Sequence, residues 1–152
     1  MINIKNRSGR IIYTLDVSRD LGFYEADLKG ANLKDADLSG ANFSGADLSG
    51  VCLEGSDLYW AIFFEANLQH ANLQSAQLAG CDLKGANLSQ ANLRNANFGL
   101  DNVGGATQLQ GANLFGCDIE GANFTGAQYD GETVFPEGLN PADHGMVLVM
   151  SD

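Results

Sequence analysis

The groups able to do chemistry in this chain are two histidines, His70 and His144, three cysteines, Cys52, Cys81 and Cys117, and 19 carboxylates set against 8 Lys and Arg. Nucleophilic catalysis needs a Ser or Cys beside a base that a third group orients. No pattern brings either histidine to such a set, and no metal-ligand spacing appears. Paired carboxylates can divide acid and base roles when their surroundings push their pKa values apart, but here the Asp residues recur at regular intervals and should be hydrated and alike. The glycines follow the same interval and form neither GxGxxG nor a Walker-type loop. The reading is a protein that is not an enzyme, with no catalytic, cofactor-binding or metal-binding residues. Recognition chemistry is another matter. In DLYWAIFFEANL, residues 57–68, Tyr59, Trp60, Ile62 and Phe64 stand at outward and corner positions in place of small or polar residues such as Ser, Gly, Asp or Asn.

Those positions are defined by a period of five. From Leu28 to Val103 an apolar residue recurs at every fifth place, sixteen centres in all, Leu at twelve, Phe at Phe43, Phe63 and Phe98, and Val103 at the last. A flat strand would send residues five apart to opposite faces, and a helix would carry them around its axis. The chain must instead turn once per repeat, so that all centres face one axis and successive coils stack as a solenoid. Two residues before the centre, on the same face, Ala stands in twelve of the sixteen repeats, with Val51, Ser56, Cys81 and Asp101 as exceptions. Between these two inward positions lies an outward Asp or Asn in thirteen repeats, able to bond nearby backbone and hold a turn. Two residues after the centre Gly appears in eight, which places the corner there. Near Ala106 to Leu109 the register slips by one residue and resumes at Leu114, Ile119, Phe124 and Tyr129, predicting a bulge or small loop at 104–110.

The run ADLKGANLKDADLSGANFSGADLSG, Ala26 to Gly50, resembles the pentapeptide-repeat family, and the match extends over about three quarters of the chain. The resemblance implies an all-β fold: a right-handed quadrilateral β-helix with four pentapeptides per coil. The ends, MINIKNRSGRIIYTLD and TVFPEGLNPADHGMVLV, are similar to those of small cyanobacterial members. Solenoid ends are open sheet edges and need closing. Ile2 to Asn6 and Arg10 to Leu15 read as a hairpin joined through Arg7, Ser8 and Gly9, while Asn140, Pro141 and Gly145 read as the start and stop of a short helical turn before Met146 to Met150. The chain is thus one domain over 1–152: an N-terminal cap at 1–23, the solenoid at 24–136 with its slip at 104–110, and a C-terminal cap at 137–152.

Composition narrows the partners. No apolar run reaches the length of a membrane span and the N-terminus lacks a signal-peptide layout, so a cytoplasmic protein with no membrane attachment is expected. Cys81 and Cys117 fall at inward positions and read as buried thiols, not disulfides. The formal net charge is −11, and its distribution is uneven: residues 1–23 hold four basic and two acidic side chains, 24–95 four and nine, 96–152 none and eight. Such a surface repels phosphates, which argues against direct nucleic-acid binding and for a basic protein partner or plain solubility. Self-association of basic head and acidic tail stays open. Three readings of Tyr59, Trp60, Ile62 and Phe64 also stay open: a protein contact, a local brace with the rings lying over Gly40 and Gly80, or a surface covered by the chain's own tail. The leading function is a non-catalytic interaction module for a protein partner of unidentified kind. The alternative comes from the resemblance: some pentapeptide-repeat proteins imitate duplex DNA and occupy type II topoisomerases such as DNA gyrase.

Overall fold

The structure is a computed structural model, and it describes residues 2–5, 8–15 and 22–150. Parallel bridges join Asp27 to Asp47, Asp47 to Asn67 and Asn67 to Asn87, and likewise Asn32 to Cys52, Asp37 to Asp57 and Asn42 to Ile62. A bridge every twenty residues means four pentapeptides per coil. The backbone bonds follow the same interval: Leu28 N–H donates to Asp47 C=O at 2.8 Å and Asp47 N–H donates back to Ala26 C=O at 2.9 Å. Each side of the coil is so short that it contributes one bridge per rung, not a long strand.

The three sequence positions take the roles that the spacing predicts. Centres such as Leu33, Leu48, Leu53, Leu68 and Phe63 are wholly buried, and the small residues before them close the same core. Phe23, Phe43 and Phe63 stack in one column at centroid separations of 4.7 and 5.1 Å, and Phe98 stacks on Phe124 at 4.8 Å. This is the spacing of adjacent strands, so the rings ride on the ladder. Outward residues hold the turns: Asp27 Oδ1 accepts the N–H of Lys29 at 3.2 Å and Asn42 Oδ1 that of Ser44 at 3.0 Å. At the corner, Leu28 C=O accepts from Ala31 N–H at 3.0 Å and Gly30 between them sits at φ 66°, the left-handed conformation that such a turn demands of its third residue.

Where an inward small residue is polar, it donates to backbone inside the core. Ser56 Oγ reaches Leu53 C=O at 2.6 Å, Cys81 Sγ reaches Leu58 C=O at 2.8 Å and Cys117 Sγ reaches Leu88 C=O at 3.0 Å. Satisfied in this way, each can occupy an Ala site without an orphaned polar atom. All three cysteines are free thiols.

The register change differs from the expected single-residue slip. Asp82 bridges Gln108, Asn87 bridges Asn113 and Asn97 bridges Asn123, a separation of 26 in place of 20, and the interval of 20 returns with Gln108 and Gln128. Six residues have therefore been inserted between the centres Phe98 and Leu109. Val103 is not a core centre: it is 87% exposed on a loop that leaves the corner after Phe98. The loop closes on itself, with Asp101 N–H donating to Gly105 C=O at 2.9 Å and Asp101 Oδ1 accepting from the N–H groups of Val103 at 2.9 Å and Gly105 at 2.6 Å.

At the N-terminal end, β1 (Ile2–Lys5) pairs antiparallel with β2 (Ile11–Leu15). Ile4 is buried in the core and Lys5 C=O accepts the N–H of Asp37 at 2.9 Å, so the hairpin rests on the first coil. Of the expected hairpin, Asn6 and Arg7 lie outside the described residues, as do residues 16–21 of the expected cap. At the other end, β3 (Gln128–Tyr129) pairs in parallel with β4 (Val147–Leu148). Between them Pro141–His144 form one 3-10 turn, with Asn140 Oδ1 accepting from Ala142 N–H at 3.1 Å and Gly145 left-handed at φ 66°.

Candidate functional site

Trp60 occupies a corner position, the third residue of a turn, with φ at 58°. A bulky aromatic residue rarely adopts that conformation. The columns of the coil explain where its side chain goes: Gly40 lies below it and Gly80 above, one rung each way. A Cβ on Gly80 would lie 2.7 Å from Trp60 Cδ1, so the indole is seated on the Gly80 backbone. Its Nε1–H donates to Asp101 Oδ2 at 2.7 Å. The inserted loop springs from this same corner two rungs above Trp60, and reaches back over Gly80 to meet it.

Of the other three residues, Tyr59 touches this anchor and Ile62 and Phe64 continue along the next side of the coil to its next corner. Tyr59 is half-buried, its hydroxyl donating to Gln77 Oε1 at 3.2 Å and its ring tilted against Trp60 at 5.8 Å. Ile62, also half-buried, stands mid-face with Asn42 below and Asp82 above. Trp60 at 50% and Phe64 at 43% are the exposed members. The structure therefore brings together Trp60, Tyr59 and a partner that the sequence reading did not assign, Asp101. Its one signal in the sequence was an acid in a place otherwise held by Ala, Val, Ser or Cys. The tail strand β4 lies on β3 at residues 128–129.

Electrostatics at the site are acidic. The Trp60 indole N–H, then the N–H groups of Gly105 and Val103, hold the Asp101 carboxyl below its ordinary pKa by hydrogen-bonding the charged form. Asp57, Glu65 and Asp82 lie on the same and neighbouring rungs, and Lys84 Nζ stands 4.0 Å from Asp82 Oδ2.

The groups that could do other chemistry are dispersed. His70 is an exposed corner residue at φ 60°, and His144 in the 3-10 turn meets the Phe124 ring edge-on at 6.2 Å. Burial pushes the Cys81 thiol well above its ordinary range and the Cys117 thiol up to about 11, so neither is a ready nucleophile. Among the described residues, no three His, Cys, Asp or Glu are grouped to hold a metal ion, and no helix is long and apolar enough to cross a membrane. A shallow cleft of about 380 Å³ lies between the hairpin and the first coil, lined by Arg10, Ile11, Ile12, Asn32, Lys34 and Asp35. The Lys34 ammonium is engaged with Glu54 at 3.2 Å.

Comparison with known proteins fits this geometry. The model of the pentapeptide repeats family matches in 8 copies over residues 23–58, 61–99 and 107–128, and the gap at 100–106 is the inserted loop. Among solved structures, the pentapeptide repeat protein Rfr23 from the cyanobacterium Cyanothece 51142 is 34% identical, with 72% of this chain and 87% of that one covered and a TM-score of 0.61. A pentapeptide repeat protein from Nostoc Pcc 7120 is likewise 34% identical, over 81% and 84% of the two chains, with a TM-score of 0.50. One from the Arabidopsis thaliana thylakoid lumen is 34% identical over 67% and 63%, with a TM-score of 0.47. None of the curated proteins matches the chain.

Proposed function

From the premise that this chain belongs to the pentapeptide-repeat family, whose members form right-handed quadrilateral β-helices, we propose that it is a non-catalytic module presenting an acidic solenoid surface to a protein partner through Tyr59, Trp60, Ile62 and Phe64. One observation carries the reading: Trp60 holds a left-handed corner at φ 58° while half its surface faces solvent. A strained, exposed aromatic residue in a slot that Gly fills on the rungs above and below is poor economy for a fold and good provision for a contact. The hairpin β1–β2 and the segment from 137 onward close the two ends in this reading, supported by the burial of Ile4 and the pairing of β4 with β3. Three free thiols fit a reducing compartment such as the cytoplasm.

The test is affinity capture from the native cell's lysate with an Ile62→Asn, Phe64→Ser variant. Both substitutions restore residues that the same columns hold one rung below, Asn42 and Ser44, so the coil is preserved. Loss of a captured protein supports the proposal, and undiminished capture refutes it. A second reading, imitation of duplex DNA toward a type II topoisomerase, is favoured by the stacked carboxylates of Asp27 with Asp47 and Asp37 with Asp57. An unaltered gyrase supercoiling rate at excess protein would remove it.

A further inference from the structure

The inserted loop is tied to the aromatic rung by a side-chain hydrogen bond. Asp101 fixes the loop to the Trp60 indole, and the loop's own bonds from Val103 N–H and Gly105 N–H to Asp101 Oδ1 set its shape. Leu100, 49% exposed, stands in the Trp60 column two rungs above, seated against Gly126 as Trp60 is against Gly80, and Val103 is the most exposed of the loop's apolar residues. Large apolar groups that a monomer gains nothing by exposing thus stand at two neighbouring corners of the coil, Trp60, Leu100 and the loop at one and Phe64 at the next.

What surrounds them selects the occupant. Asp57, Glu65, Asp82 and Asp101 border the apolar groups, and Lys84, beside Asp82, is the cation among the neighbouring described residues. A partner that covers the apolar side chains also strips water from these carboxylates, which is unfavourable unless it brings cations to them. The geometry points to a composite docking surface, made of the Trp60–Phe64 rung and the Leu100–Val103 loop, for a segment of a partner protein in which Lys or Arg alternates with large apolar side chains. This rests on the reading of the patch as a protein contact and adds to it the loop and the chemistry of the partner.

Trp60 is the sole tryptophan of the chain, so its emission reports on the site directly. The probes are three synthetic peptides of equal length: alternating Lys and Leu, alternating Glu and Leu, and alternating Lys and Ser. The Lys/Leu peptide should change Trp60 emission saturably, with an affinity that falls as salt is raised, while the other two leave it unchanged. A Leu100→Ser, Val103→Ser variant with an unaltered far-UV spectrum should bind the Lys/Leu peptide about tenfold or more weakly, the equivalent of losing one buried aliphatic contact. Equal response to Glu/Leu overturns the charge argument, equal response to Lys/Ser overturns the apolar one, no response to any peptide overturns both, and undiminished binding by the loop variant removes the loop from the surface. If these peptides fail while lysate capture still depends on Ile62 and Phe64, the contact reading stands without the basic-apolar partner. If capture is independent of those residues, both fall.

Discussion

Replacing Gly80 by Ala isolates the contact on which the site is built. Gly80 has φ at 75°, and a Cβ there would press on Trp60 Cδ1 at 2.7 Å, whereas Gly30, at the comparable φ of 66°, has nothing within 4 Å of its place. Gly30→Ala therefore measures the left-handed penalty alone, about 1–2 kcal/mol. Gly80→Ala must carry that penalty and displace the indole as well. An aromatic side chain buries roughly 150–250 Å² when enclosed. With half of Trp60 exposed, on the order of 100 Å² is covered, worth about 2.5 kcal/mol at about 25 cal/mol per Å². A ring that slides aside keeps part of this, leaving an excess of about 1–2 kcal/mol for Gly80→Ala over Gly30→Ala. The assay is urea unfolding followed by far-UV circular dichroism for the two variants, and again for both in a Trp60→Gly background. The excess should vanish in that background. Equal destabilisation by the two substitutions, or an excess that survives removal of Trp60, would show that the indole is not seated on Gly80.

The loop, the core and the thiols each give a further expected outcome. The depressed Asp101 carboxyl contributes to the loop tie above its ordinary pKa and loses that contribution as pH falls through the lower folded value; a change in Trp60 emission should therefore begin only below the normal carboxylate range, and should be absent in Asp101→Ala. Leu68→Ala, at a wholly buried centre flanked by Leu48 and Leu88 in its column, should cost about 2–5 kcal/mol in urea unfolding. Alkylation by iodoacetamide at mildly alkaline pH should modify the partly exposed Cys52 first, with Cys81 and Cys117 protected until unfolding, as read by peptide mass.

Most of the solenoid was legible because its determinants are local. Leu28, Asp27 and Gly30 each announce inward, turn-holding and corner roles within one repeat, and the bridge from Asp27 to Asp47 needs only that the pattern continue. The insertion was legible only as a one-residue slip and small loop at 104–110; its six-residue length and its start after Phe98 were not, because Asp101-Asn102-Val103-Gly104-Gly105 imitates a repeat: an outward Asn, an apolar residue and a Gly fall in register by spacing alone. What separates it is Asp101 in a small-residue slot, where a carboxylate cannot be buried without a counter-charge. The chain answers by expelling the whole segment and spending that carboxylate on the backbone of its own loop and on Trp60. Trp60 and Phe64 stood out as exceptions, but the tie of Trp60 to residue 101 spans 41 positions and could come only from the stacking of coils.

The loop also bears on how such a chain can change over generations. Six extra residues enter at one corner, yet Asn97 still pairs with Asn123 and Asp82 with Gln108, so the ladder on either side is intact. Lengthening a flexible loop costs little, about 0.6 kcal/mol for each doubling. A corner of this coil is therefore a port at which new segments can be tried, kept or discarded without renegotiating the core, and a lineage could vary what it recognises while inheriting the scaffold unchanged.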